Sequence, residues 1–440
     1  MTNLDTTEGT VAGPRLMVRA LRHRNYRLFF GGHGLSMVGS WMQWTAMGWL
    51  VYRLTGSKAM LGTVAFATQI PAFLLASLAG VVADRVNRRH LVLVTQSLAT
   101  VQALALAYLT LAGLVEVWHI IALSVGAGLV NAFDIPARQS LVVDMLDNRA
   151  DLPNAIALNS FLFNGARLVG PWVAGILIHL VGEGVCFLVN AASFLAIIAA
   201  LLAMRIPRPR RVPSGRHVLS ELRDGFAYVL GHKTIRGVLA MIAIVSLFGM
   251  PYGVLMPVFA KDILGGDAYT FGILAAAPGV GALVGALFLA SRRNVLGLGR
   301  LMRIAGVLFG CGLIGFSLSR NLWLSLVILA PLGFGLLIML ASGNTLVQSL
   351  VDDDKRGRVM SLWMMSFMGM APFGSLMAGF LAERIGAPTT VLIGGAACIV
   401  ATLVFGRRLP RAPLAAPPTA PANGAAPDSD GPQPDAKSAG

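Results

Sequence analysis

The chain has 440 residues, 56% of them hydrophobic and only 12% charged, whereas a soluble globular domain carries about 25% charged residues. This composition excludes an ordinary water-soluble domain, because most of the surface has to meet something other than water. A net charge of +15 would suit a nucleic-acid binder, but the placement of the basic residues along the chain excludes that reading as well.

The N-terminal MTNLDTTEGTVAG is polar and acidic, so no cleavable signal peptide is expected. After it, apolar runs of about 20 residues recur to residue 406, each long enough to cross a bilayer as a helix. They lack the period-2 alternation of a barrel strand, and in lipid only helices or closed barrels satisfy the backbone. The expected fold is an all-α membrane protein with twelve spans, at 28–52, 59–83, 90–113, 117–136, 154–180, 184–204, 237–260, 269–290, 301–319, 321–345, 359–382 and 388–406. Cys186, Cys311 and Cys398 all fall in apolar runs and read as small core residues, with no disulfide framework.

The 35 Lys and Arg residues fix the orientation. With the N-terminus in the cytoplasm, 29 fall on the cytoplasmic side and five outside (Arg53, Lys58, Lys261, Arg320 and Arg384), and Arg167 remains inside a span. Both termini are therefore expected in the cytoplasm, with the cell membrane as the location and anionic lipids against the basic loops. The organisation that follows is an N-terminal segment 1–27, a six-span half 28–204, a cytoplasmic loop 205–236, a second six-span half 237–406 and a low-complexity tail 407–440, expected to be disordered. In the loop, Leu219, Leu222, Phe226, Val229 and Leu230 recur at helical spacing, which predicts a short amphipathic helix on the membrane surface.

The halves repeat. FNGARLVGPWVAGIL (163–177) aligns with FMGMAPFGSLMAGFL (367–381), and Gly165, Gly170, Ala174 and Gly175 recur 204 residues later at Gly369, Gly374, Ala378 and Gly379. QSLVVD (139–144) likewise matches QSLVDD (348–353). Span 5 thus matches span 11 in the same direction, the parallel six-helix repeat of a transporter whose cargo site lies between the halves.

GVVADRVNRR (80–89) resembles the Gly-x-x-x-Asp-Arg-x-Gly-Arg-Arg loop signature of the major facilitator superfamily. GPWVAG (170–175) resembles the Gly-Pro-x-x-Gly-Gly signature of that superfamily's exporters. FDIPARQSLVVD, LFGMPYGVLMPVFAKDILGG and DDDKRGRVMSLW are similar to the subgroup that includes the enterobactin exporter and macrolide efflux proteins. The resemblance covers about residues 16 to 408 and implies a secondary exporter, without naming its cargo. Two departures stand out. Asn87 replaces the second signature glycine, and a left-handed turn is expected there. Span 4 lacks the arginine that many proton-coupled members carry, which puts the usual proton-coupling route in doubt.

The resemblance implies a conformational latch on the cytoplasmic side, built from Gly80, Asp84, Arg85, Arg88, Arg89, Asp134 and Arg138. Asp84, Arg88 and Asp134 would form one network, with Asp84 facing the start of span 11 near Gly357 and Arg358. Alternatively these charges only enforce topology. Asp134 is placed at the cytoplasmic end of span 4, and no Asp or Glu is expected at central depth. Arg167 sits mid-span, where ionisable residues face a cavity or a partner. It either binds a polar or anionic cargo group or tunes a proton site, or else it organises its half by bonding to amides and carbonyls. Gln43, Gln69, Asn131, Asn164 and Asn344 are the remaining cavity candidates, with His33, near a span end, as a coupling candidate. Gly170, Pro171, Ala174 and Gly175 predict a kinked, closely packed span 5.

No metal cluster, nucleophile motif or phosphate-binding loop is present, which disfavours an enzyme. No ATP-binding domain is recognisable, and no cofactor is implied. The leading expectation is export of amphiphilic small molecules by alternating access and proton antiport. Lipid-like or siderophore-like cargo, or import, is the alternative within transport.

Overall fold

The computed structural model of the protein describes residues 18–205, 218–292 and 297–407; within these, the side chains of Ser77, Asp84 and residues 218–223 lie outside the described set. Residues 408–440 of the expected tail 407–440, and the basic stretch 206–217, also lie outside the described residues.

The chain is helical throughout the described residues. The first six segments are α1 (Arg24–Thr55), α2 (Lys58–Arg85), α3 (Arg88–Leu111), α4 (Val117–Asp144), α5 (Leu152–Val181) and α6 (Glu183–Ala203). A shorter helix, α7 (Val218–Gly231), lies in the middle loop. The seventh span is composite: α8 (Lys233–Ile244) and α9 (Tyr252–Val258) alternate with π-helical turns at Val245–Gly249 and Phe259–Ile263. Then follow α10 (Ala268–Ser291), α11 (Leu298–Leu318), α12 (Leu322–Leu350), α13 (Arg356–Met368), α14 (Ala371–Ile385) and α15 (Ala387–Gly406).

Eleven of these segments are long and apolar enough to cross a membrane. The exception among the twelve expected spans is α1, which is 32 residues long but is diluted by Ser36, Ser40, Gln43 and Thr45. Those polar groups turn inward, so the low hydropathy of α1 reflects the interior it lines.

Helices α1 to α6 pack into one bundle: α1 lies on α5 and α6, α2 on α4, and α3 on α4 and α6. The segments from α8 onward form a second bundle, with α11 between α12 and α15 and α10 on α12. The two most extensive contacts between the bundles are α5 on α10 and α2 on α14. Both are made by glycine. A Cβ on Gly272 would lie 2.6 Å from the Gly175 Cα, and one on Gly379 would lie 2.8 Å from the Gly62 Cα. The backbones touch directly at both places, as small residues allow in lipid. The two joints are repeats of each other, since Gly379 follows Gly175 by 204 residues and Gly272 follows Gly62 by 210.

Several local expectations change. Helix α4 does not stop near residue 136. It runs through Pro136 to Asp144, because a proline costs a helix only one hydrogen bond when neighbours hold the backbone. Asn87 has φ −68°, not a left-handed conformation, and its side chain caps α3 by accepting from His90 N at 3.2 Å. Helix α5 stays one helix through Pro171, whereas the eleventh span divides at Gly369–Met370, just before Pro372. Cys186 and Cys398 are buried, but Cys311 is exposed on the outside of the bundle.

Short polar contacts organise the face that carries both chain ends. His23 sits 2.9 Å from both Asp147 and Asp151, and Arg19 pairs with Asp151 at 2.8 Å. These contacts tie the N-terminal segment to the α4–α5 connection. Helix α7 docks on the second bundle through Asp224–Arg358 at 3.3 Å and a Tyr228 hydroxyl that donates to Asp352 at 3.0 Å. Val229 is buried there, while Phe226 and Leu230 remain exposed.

A polar cavity in the first bundle and a closed opposite face

A cavity of about 180 Å³ opens inside the first bundle, lined only by residues of α1 to α6, among them Gln43, Trp44, Gln102, Asp134, Arg138 and Asn190. One wall is a chain of amides. Asn190 Nδ2 donates to Gln43 Oε1 at 2.8 Å, and Gln43 Nε2 donates to Gln102 Oε1 at 3.0 Å. The inner end holds a buried carboxylate. Asp134 is 1% exposed and accepts from Thr95 Oγ1 at 2.8 Å and Gln96 Nε2 at 2.9 Å. It also pairs with Arg138, one turn on, at 2.6 Å. Arg138 reaches His33 Nδ1 at 3.1 Å. An arginine only donates, so Nδ1 accepts, and a neutral ring carries its proton on Nε2. His33 is 2% exposed and stacks on Phe29 at 4.9 Å.

This placement corrects two expectations. Asp134 is not at a helix end, because α4 continues for ten residues beyond it. It bonds to Thr95, seven residues into α3, which puts the carboxylate about 10 Å inside the helix ends. His33 is likewise nine residues into α1, not at its edge.

The remaining candidates scatter. Arg88 pairs with Asp144 at 3.0 Å, a partner that the expected network did not include. The side chain of Asp84 lies outside the described set; its backbone belongs to the last turn of α2. Arg89 anchors the end of α6, donating to the carbonyls of Leu201 at 2.7 Å and Leu202 at 3.1 Å. Arg85 is exposed, and a Cβ on Gly80 or Gly357 would meet nothing within 4 Å. Asn131 lines the cavity. Gln69 reaches across to Ser375 Oγ at 3.4 Å. Asn164 is buried and bonds within its own helix to Ser160 O at 2.8 Å, and Asn344 accepts from Gln348. Gly170 packs on α1, where a Cβ would lie 2.5 Å from Trp41 Cβ, and Ala174 is fully buried. Thr95, Gln96, Gln102 and Asn190 were missed in the sequence. Their signal was an amide or hydroxyl within an apolar run, weaker than a charge.

Arg167 is half-buried in the middle of α5. Its electrostatic neighbour is the Tyr252 hydroxyl, on α9 of the opposite bundle. Below the large cavity, a smaller one of about 50 Å³ lies between the bundles, and Trp44, Met47 and Thr68 line both.

The face opposite the chain ends is closed by contacts between the bundles. The Tyr52 hydroxyl donates to Asp262. His179 pairs with Asp267 at 2.6 Å. Glu383 accepts from Lys58 N at 2.8 Å, Ala59 N at 3.1 Å and Ser57 Oγ at 3.3 Å, capping α2 from the other bundle. Burial pushes the Asp267 carboxyl up, but the Thr270 backbone N–H and His179 outweigh it and hold the group below its usual range. Trp49 stacks on Phe271 at 5.9 Å on the same side. The polar contacts described above for the face carrying the chain ends stay within one bundle or tie α7 to the second.

Two repeated six-helix bundles, packed closely at two symmetry-related contacts around a polar interior, have the architecture of a membrane transporter. Residues 17–423 match the transmembrane secretion effector family, and the chain belongs to it. The staphyloferrin A transporter of Staphylococcus aureus is 26% identical over 86% of this chain and 95% of its own length. The multidrug efflux pump Tap of Mycolicibacterium fortuitum is 26% identical over 82% of this chain and 88% of its own. Among solved structures, the nucleoside transporter NupG shares the fold with a TM-score of 0.66 at 16% identity, covering 88% of this chain and 98% of that one. An inward-facing bacterial homologue of the iron transporter ferroportin gives 0.66 at 17% identity, with the same coverage.

Proposed function

We propose that the protein exports amphiphilic small molecules across the cell membrane by alternating access, exchanging them for protons. The face carrying both chain ends is the cytoplasmic one, where the Lys and Arg residues collect. The closed opposite face then makes this conformation inward-facing, ready to load from the cytoplasm. The observation that carries the reading is the cavity in the first bundle. It offers amides for a polar head, Trp44, Met47 and Phe194 for an apolar body, and one buried carboxylate. The names of the relatives support small-molecule transport, one as a siderophore transporter and the other as a multidrug pump.

Asp134 is the group suited to exchange a proton for cargo. While ionised it holds Arg138. Once protonated it releases that charge-assisted bond, and Arg138 is left with His33. Span 4 therefore has its own carboxylate–arginine pair in place of the arginine that the resemblance leads one to expect.

The test is flux of fluorescent amphiphiles in proteoliposomes with and without an imposed pH gradient. A gradient should accelerate wild-type flux at least about tenfold, equivalent to about 1.4 kcal/mol off the barrier. Asp134→Asn should abolish that acceleration while leaving cargo binding in place. Flux indifferent to the gradient, or an Asp134→Asn protein that still responds to it, would refute proton coupling through this residue.

A further inference from the structure

Arg167 is the sixteenth of thirty residues in α5, as far from either end as that helix allows. It is only half-buried, and among the described residues its one polar partner is a neutral hydroxyl, to which it donates. The group beside it is the hydroxyl of Tyr252, itself 5% exposed. A phenol is neutral and cannot balance a guanidinium. The buried carboxylate of the first bundle does not balance it either, because Asp134 already answers Arg138. A cation at this depth needs a counter-charge, and here no described side chain supplies it.

We infer that the counter-charge comes with the cargo: the transported molecule carries an anionic oxygen group, carboxylate-like, that docks on Arg167. The inference rests on the export reading above and adds the cargo's charge class to it. A guanidinium presents its N–H groups as a planar fork that matches two oxygens of a carboxylate or phosphate. The Tyr252 hydroxyl neighbours the guanidinium and has its own O–H to donate to the same anion. Because Arg167 belongs to the first bundle and Tyr252 to the second, an anion held by both joins the two moving bodies. Binding at this point therefore bears directly on their rocking. A lipid headgroup would offer the same oxygen chemistry, but it lies at the membrane surface, whereas Arg167 lies at mid-helix.

The experiment uses the full-length protein in phosphatidylcholine nanodiscs, with dansylglycine, dansylphenylalanine and their methyl esters as probes, read by dansyl fluorescence. Wild type should bind the acids about tenfold more tightly than the esters, as one charge-assisted contact predicts. Arg167→Gln should bring that ratio to about one without weakening the esters, Arg167→Lys should keep part of the preference, and Tyr252→Phe should reduce acid affinity severalfold. Equal binding of acid and ester by wild type, or a preference that survives Arg167→Gln, overturns the inference. So does loss of the preference when phosphatidylglycerol is added, since Arg167 would then be a lipid site. The two readings fail separately. Gradient-driven flux of esters without an acid preference leaves export standing and removes the anion site. An acid preference without gradient-driven flux does the reverse.

Discussion

His23 lies outside the membrane spans, between two carboxylates. The hydrogen bond to Asp147, and next the one to Asp151, raise its pKa above the ordinary imidazole value; partial burial works the other way and loses. The sign follows from linkage. A group whose folded pKa is raised contributes its full stabilisation below the unfolded value, about 6.5, and loses it as pH climbs through the folded value. The N-terminal segment should therefore stay docked on the α4–α5 connection at neutral pH and below, and loosen on the alkaline side. Hydrogen exchange at residues 18–23 across that range should show protection falling with pH in wild type. In His23→Gln it should be low and flat, and a pH profile identical in the two proteins would be the contrary result. At this scale the sequence was only partly legible. Arg167 announced itself because a charge in an apolar run is visible. Asp134 was visible but misplaced, since Pro136 and Arg138 just after it read as a helix end. Tyr252 gave no signal, because an aromatic residue in an apolar run looks like packing until its neighbour across the bundles is known.

Helix α5 carries glycines that look alike in sequence and differ in space. A Cβ at Gly175 would lie 2.8 Å from the Gly272 Cα, and that neighbour is backbone that has nothing flexible to yield. A Cβ at Gly165 would meet nothing within 4 Å. Gly175→Leu should push α5 off α10, cost on the order of 1–3 kcal/mol or more of stability and abolish flux. Gly165→Ala should be neutral or should stabilise by up to about 1 kcal/mol, the difference in helix propensity. Thermal unfolding of both variants in the same detergent checks this, and matching melting temperatures would count against the glycine joint. The periodic repeat pointed to Gly175 as shared scaffold but could not say what it touches, because its partner is 97 residues away on another helix. The same limit explains the prolines. Pro171 and Pro372 are equally visible in the chain, yet α5 is held through its proline by α1 and α10, and the eleventh span breaks before its own.

For the whole molecule, hydropathy and the internal repeat were enough to expect a helical membrane protein, and the described helices pack as two bundles. What closes the face opposite the chain ends was not legible, because it is built from pairs 88 to 326 residues apart. Glu383 is the most connected of these groups, with three hydrogen bonds to the first turn of α2. A carboxylate at a helix N-terminus is favourable both as a cap and against the helix dipole. Glu383→Ala should weaken the inward-facing state and populate an outward-open one. Spin labels at Leu114 and Trp323, both exposed and on opposite bundles at that face, should then report a growing long-distance population in electron resonance. A distance distribution unchanged from wild type would show that Glu383 does not hold the face shut.

The two glycine joints also set a mechanical ratio. Gly175 stands six residues from the end of α5 at the closed face and twenty-three from its other end, whereas α14 continues only eight residues from Gly379 before the break at Gly369–Met370, so the long arm belongs to α5. Where backbone rests on backbone with no side chain between, the contact can serve as a fulcrum. Its short arm is about 9 Å and its long arm about 35 Å. A rigid helix turning there would convert about 2 Å of parting at the outer face into about 8 Å of closure at the inner one. On the export mechanism proposed above, the release of a few hydrogen bonds on the short arm would shut the cavity side on the long one.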